Sequence, residues 1–202
     1  MAWTAPATAV AGTGLTAAWL NTNVRDNMLE TAAATATAAG DIIYADGANS
    51  MGSRLAIGGA RSILISDGGV PKWRTVVSAA GNSTAFTLTA TSFTDLDALG
   101  GEAISVTTTT GTAALVMMHA RVSNATAGSL TYVSYSISGA TTAAAGVGKA
   151  LYFESSSAND VAAFGYADYV ALTTGVNTFE LQGQVNAGTG TIQYTEITVV
   201  PL

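Results

Sequence analysis

His119 is the single histidine of the chain, and there is no cysteine. Protein zinc sites draw three or four ligands from Cys, His and carboxylates, so one His without Cys gives no ordinary site. A Ser-His-Asp triad would have to use His119, and no Gly-x-Ser-x-Gly turn exists to present a serine. Within Ala113–Val122, His119 shares a face with Leu115, Met117 and Arg121, while Val116, Met118, Ala120 and Val122 take the other. That is the position of a surface or interface histidine. Gly146-Val147-Gly148-Lys149-Ala150 only partly matches a phosphate-binding loop. Ala143 stands where the first glycine is needed, and Ala150 where Ser or Thr would hold the metal. It reads as a flexible turn. Asp95-Leu96-Asp97 with Glu102 offers calcium fewer carboxylates than calcium loops supply at fixed offsets, and reads as solvated loop acids. Carboxylate pairs for sugar hydrolysis are defined by spatial separation rather than spacing, and none stands out. The expectation is no catalytic residue, no cofactor and no metal.

Five tyrosines, Tyr132, Tyr135, Tyr152, Tyr166 and Tyr169, gather in the C-terminal part near Glu154 and Asp168. A tyrosine ring packs a core or stacks on a sugar equally well, and its hydroxyl serves either use. Packing is the main expectation, with Tyr152, Tyr166, Tyr169 and Asp168 as candidate glycan contacts.

The composition of the 202 residues narrows the class. Hydrophobic residues make up 49% and charged ones only 10%, against a usual charged share of about 25%. So few charges do not suit a free cytosolic enzyme, which relies on them for solubility. They suit a chain covered by its own copies or by an assembly. Disordered chains combine low hydrophobicity with high net charge, and this chain has positive mean hydropathy. The net charge of −6 belongs to the C-terminal part. Before residue 81, Arg25, Arg54, Arg61, Lys72 and Arg74 balance Asp26, Glu30, Asp41, Asp46 and Asp67. After it, Arg121 and Lys149 face Asp95, Asp97, Glu102, Glu154, Asp160, Asp168, Glu180 and Glu196. Such a segment cannot neutralise a run of phosphates, which argues against nucleic acid. The start, Met1-Ala2-Trp3-Thr4-Ala5-Pro6, has no basic and apolar signal regions. The longest strong apolar run, Ala113–Met118, is far short of the ~18 residues of a membrane helix. The expectation is a soluble protein made in the cytosol, so Asn82-Ser83-Thr84 and Asn124-Ala125-Thr126 are read as chance glycosylation matches.

Three regions follow from the patterning. Residues 1–40 form an attachment segment whose helix signal covers 15–40, with Thr16 as N-cap and Gly40 as stop; its Ala/Thr run, 31–39, reads as helix ending before Gly40, with frayed helix or linker as the alternatives. Leu20, Val24 and Met28 recur at i, i+4, i+8 beside Trp19, a narrow apolar stripe that needs an outside surface to bury against. Residues 41–80 form a β-rich neck of short pieces, Asp41–Ala45, Leu55–Gly59, Ser62–Ser66 and Val70–Trp73, with turns at Asp46-Gly47 and Asp67-Gly68-Gly69. Residues 81–202 form a head. In Thr178–Val185, Phe179, Leu181, Gly183 and Val185 alternate with Thr178, Glu180, Gln182 and Gln184, a period of two. Further strands are expected at 84–91, 102–109, 112–122, 129–138, 147–154, 161–172 and 191–200. About eight short strands at this spacing indicate a mainly β protein whose head is an antiparallel β-sandwich, jelly-roll-like, behind an N-terminal helix and a small hairpin neck.

Trp3-Thr4-Ala5-Pro6, Val10-Ala11-Gly12, Leu15-Thr16-Ala17-Ala18 and Leu20-Asn21-Thr22 followed by Val24-Arg25-Asp26-Asn27 resemble a leader of phage tail-fibre, minor tail and other virion-surface proteins. Gly40-Asp41-Ile42-Ile43-Tyr44 through Val70-Pro71-Lys72-Trp73 is similar to a second phage-fibre element. The close, Asn177–Gln182 through Val199-Val200-Pro201-Leu202, is similar to the last strands of jelly-roll heads on fibres and decoration proteins. The resemblance implies a non-enzymatic structural protein at the virion surface, a homotrimeric fibre, spike or knob. It would dock to other tail or capsid proteins through Trp3, Leu15, Trp19, Leu20, Val24, Arg25 and Met28, with the head contacting host-surface glycans. A capsid decoration protein or head fibre is the alternative within that class; a surface-polysaccharide depolymerase is the alternative outside it. Neither membrane insertion nor nucleic-acid binding is expected.

Overall fold

The computed structural model describes residue 14 and residues 16–25, 35–47, 53–80, 85–96 and 104–202. The chain divides into two compact units, Met1–Ala60 with Leu64–Trp73, and Arg61–Ile63 with Arg74–Leu202.

In the first unit, helix α1 spans Ala17–Leu20, and Thr16 caps it by accepting the Trp19 N–H on its hydroxyl at 3.1 Å. One wider turn, Asn21–Arg25, follows. Among the described residues Leu20 and Val24 remain 44% and 42% exposed, so this part of the apolar stripe is only partly covered. At the end of the Ala/Thr run residue 35 is helical and residues 36–40 are not, so the helical signal stops short of Gly40. The physical reason is Asp41, whose Oδ2 accepts the N–H groups of Thr37 and Ala38, both at 2.9 Å. Gly40 adds a left-handed φ of 89°. Residues 26–34, with Met28, and also Trp3 and Leu15, lie outside the described residues. Strands β1 (Ile42–Tyr44) and β2 (Ser53–Leu55) pair antiparallel, and Arg54 reaches across to Asp41 at 3.0 Å. Strands β3 (Ser62–Asp67) and β4 (Val70–Thr75) form a hairpin about Gly68 and Gly69, both at positive φ. The Trp73 indole N–H donates to the Ala56 carbonyl at 2.8 Å, and the ring lies flush against Gly58.

The second unit is the β-sandwich. Its strands are β5 (Val77–Ala80), β6 (Phe86–Leu88), β7 (Thr94–Asp95), β8 (Ser105–Thr110), β9 (Ala113–Asn124), β10 (Leu130–Gly139), β11 (Leu151–Glu154), β12 (Val161–Ala171), β13 (Gly175–Val185) and β14 (Gly190–Pro201). One sheet has the order β11-β10-β13, with β7 and β8 both on the far side of β13. The other runs β12-β9-β14, with β5 and β6 both on the far side of β14. All pairings within them are antiparallel. The alternation expected over Thr178–Val185 holds, with Phe179, Leu181, Gly183 and Val185 buried. They meet Val116, Met118, Val122, Ile192, Ile197 and Val199 of the other sheet in one core. Gly183 is small for a reason: a Cβ there would come within 2.7 Å of Ile192 and 3.0 Å of Leu88.

Two differences from the expected strands have local causes. The piece over 147–154 splits, because Val147–Lys149 is a 3₁₀ turn and the strand begins at Leu151. The Ser134 hydroxyl holds that turn, contacting the Gly146 and Lys149 carbonyls at 3.1 and 3.3 Å. Strand β5, inside the stretch read as neck, hydrogen-bonds to β14 with Val77 opposite Val199.

Two buried asparagines pin opposite ends of the sandwich. Asn177 donates to Thr110 Oγ1 at 2.8 Å and to the Thr173 carbonyl at 3.1 Å, and its Oδ1 accepts the Thr141 N–H at 2.7 Å. Asn124 donates to the Ala187 carbonyl at 3.1 Å and accepts the Thr126 N–H at 3.0 Å. Its side chain is fully buried, so the Asn124-Ala125-Thr126 match is a turn.

Candidate functional site

The chemistry-bearing residues of the sandwich fall on three separate surfaces, set by strand parity. On β12, Tyr166 and Asp168 face the interior side while Tyr169 faces out and is 67% exposed. Tyr152 lies on the outward side of the other sheet, 60% exposed. The four candidate glycan contacts therefore do not converge on one site.

The first surface is the edge of the core beside β12. Tyr135 is wholly buried, and its hydroxyl donates to Asp168 Oδ2 at 2.7 Å. Lys149 lies over the same ring, its Nζ 4.4 Å from the centroid. Burial, and then the Asp168 carboxylate, push the Tyr135 hydroxyl far above the usual phenol range. Burial pushes the Lys149 ammonium down, with the Asp168 charge acting against it. A phenol held protonated is a poor base, and this trio ties the edge together: Asp168 is satisfied by Tyr135, and the cation is held on the ring. Gly146–Lys149, read from sequence as a turn, is a turn that serves this trio.

The second surface is the outward face of the β11-β10-β13 sheet. Tyr152, Tyr132 and Gln184 stand in one row across it, and the two rings meet at 5.8 Å with a 41° tilt. The next rows add Glu154, and then Gln182 and Asp95, with Ser134 of that row buried against the Gly146–Lys149 turn. The Gln182 amide donates to the Asp95 carboxylate, so Asp95 is engaged in the sheet. Asp97 and Glu102 lie outside the described residues. Glu180, Ser105 and Ser136 continue the face. No Lys or Arg occurs in β7, β8, β10, β11 or β13, so these strands present acids, amides, hydroxyls and one tyrosine pair, with Val176 exposed at one end.

The third surface is the outward face of β12-β9-β14. Its rows read Tyr169–Leu115–Val200, Ala167–Met117–Thr198, Gly165–His119–Glu196 and Ala163–Arg121–Gln193. One end is apolar and the other carries charge. His119 faces out, as its parity with Leu115 and Met117 requires, and its Nδ1 sits 3.1 Å from the Tyr194 carbonyl. Beyond it, β14 shifts register between Gln193 and Glu196, and Tyr194 adopts a φ of 49°. Arg121 lies 5.9 Å from the Tyr194 ring centroid. This bulge ends the flat part of the face.

Among the described residues no group of three His, Asp or Glu side chains is placed to hold a metal ion, and no helix is long and apolar enough to cross a membrane. What the arrangement offers is surface: one acidic and polar face, and one face that is apolar and close to neutral.

No protein-family model matches the chain, and no curated protein matches it. Among solved structures, a chain of the infectious bursal disease virus Gx strain is similar over 67% of this chain and 35% of its own length, at 9% identity and a TM-score of 0.46. The present chain thus spans about a third of that protein. The Eiger TNF of S. frugiperda is similar over 64% of this chain and 94% of its own, at 13% identity and a TM-score of 0.42. An isomalto-dextranase of Arthrobacter globiformis T6, solved with panose, is similar over 61% of this chain and 23% of its own, at 16% identity and a TM-score of 0.31.

Proposed function

We propose that this chain is a non-enzymatic structural protein of a bacteriophage virion, a trimeric fibre, spike or knob held by its N-terminal segment. The sandwich is its exposed head, and adsorption to host-surface glycans is its role in the particle. The observation that carries the reading is the N-terminal segment. Residues 3–27 resemble the leader of virion-surface proteins, and within them Leu20 and Val24 are left among the exposed large apolar side chains. A short helix with an exposed apolar stripe is not stable alone in water and gains its burial from a larger body. The low charge content supports the same reading, as does the single His119 turned outward from the sheet.

The test is a deletion of residues 1–40 in the phage genome. The shortened protein is expected to fold and to be missing from purified particles, by immunoblot against the head. Incorporation into infectious virus at the normal level would overturn the proposal. Immunogold labelling of intact particles then separates a tail position from a capsid position. For adsorption, labelled head is expected to bind host cells saturably and to be displaced by envelope polysaccharide. Replacing Tyr152 with Ala should weaken that binding if the Tyr132–Tyr152 pair is the contact.

A further inference from the structure

Strand β12 ends its sheet: β9 pairs with one side of it, and among the described residues no strand pairs with the other. It is eleven residues long and in unbroken register with β9 from Val161–Ser123 to Ala171–Ala113. Exposed edges are normally blunted by Lys, Pro, a bulge or short length, because their free N–H and C=O groups recruit other strands. β12 has none of these. It contains no Lys, Arg or Pro, and its one charge, Asp168, is turned inward to Tyr135. The side chains on its outward face are small, at Ala163, Gly165 and Ala167, which lets another backbone or sheet approach closely.

The face that continues from this edge is the apolar one, with Tyr169, Leu115, Val200 and Met117. Charge selects what can cover it. On that face Arg121 and Glu196 are one formal charge of each sign. The opposite face carries Asp95, Glu154 and Glu180 on strands without a cation. Two acidic heads repel at the second face and can meet at the first, where Arg121 of one copy can also find Glu196 of another.

We infer that the free edge of β12, with the adjoining outward face of β9 and β14, is the surface through which copies of this chain contact one another. The inference rests on the self-assembly in the proposed function and names the surface that performs it. In a closed ring the apolar sheet then faces the axis and the acidic sheet faces outward.

The experiment uses the full chain, by light scattering and sedimentation at micromolar concentration. Ala167→Arg with Tyr169→Arg is expected to weaken association by at least about tenfold. Ser138→Arg with Thr178→Arg, on the opposite sheet, should not weaken it. A wild-type chain that is monomeric overturns self-assembly itself. A wild-type oligomer that the β12 pair leaves intact overturns only the assignment of the surface. Should the arginine variant fail to fold, the absence of cysteine allows single-site labelling instead. Ala167→Cys is expected to react slowly with maleimide in the oligomer and quickly after dilution, and Ser138→Cys quickly in both. Equal reactivity at the two sites, or protection of dilute Ala167→Cys only by added phosphatidylcholine vesicles, overturns the contact between copies.

Discussion

Tyr135 carries a polar hydroxyl into the core, and Asp168 is what makes that tolerable. Tyr135→Phe keeps the ring but leaves the carboxylate without its donor, so a loss of about 1–3 kcal/mol is expected in thermal or denaturant unfolding. The same pair sets an alkaline limit. The folded hydroxyl titrates above its unfolded value, which is about 10. The stability it contributes is complete below that value and is lost as pH rises past it. The melting temperature should therefore fall above pH ~10, and less steeply in Tyr135→Phe. Asp41 sets the acid limit of the first unit. Backbone donors from Thr37 and Ala38, with Arg54, lower its carboxyl from 3.8 to about 2, against the opposing effect of burial. Its contribution is present above 3.8 and is lost as pH falls through about 2. Trp73 fluorescence in that unit should report the loss, and Asp41→Asn should remove the transition.

Among the elements, strand β13 was legible from sequence because Phe179, Leu181 and Val185 alternate with polar residues along a strand paired on both sides. Local pattern and tertiary demand coincide there. How far short of Gly40 the helix ends was not legible. Its Ala/Thr tail is helix-compatible, and the competitor is a side chain, Asp41, placed just beyond it. Strand β7 has two residues and β5 four, too few for a period of two to be distinguished from chance. Parity along β12 could separate Tyr169 from Tyr166 and Asp168, but not say which sheet each strand joins. That depends on pairing between distant segments, which is why the candidate contacts were named together and are found apart. The two buried asparagines gave no signal, since Asn is common in turns for its own local reasons. Their weight is testable: Asn177→Ala strands the Thr141 N–H and the Thr110 hydroxyl, and should cost about 1–3 kcal/mol per unmet group by chemical denaturation. Gly183→Ala should also destabilise, by about 1–3 kcal/mol from overpacking against Ile192 and Leu88.

For the assembled protein, the net charge of −6 and the near-neutral β12-β9-β14 face oppose each other. In the proposed assembly, copies would repel through their acidic sheets at long range and attract through an apolar contact at short range. Added salt screens the first and leaves the second, so association should strengthen as ionic strength rises. A dissociation constant that increases with salt in sedimentation equilibrium would contradict this. The pairing of β5 with β14 has a further meaning. The strand that opens the sandwich lies beside the one that closes it, Val77 against Val199, so both lie at one pole of the sandwich. The opposite pole is made of the loops that Asn124 gathers, residues 125–128, 156–159 and 186–188, nearly all Ala, Ser, Thr, Asn and Gly and all exposed. These exposed tips carry no charged or aromatic side chain, so whatever meets them meets backbone, hydroxyl and amide groups.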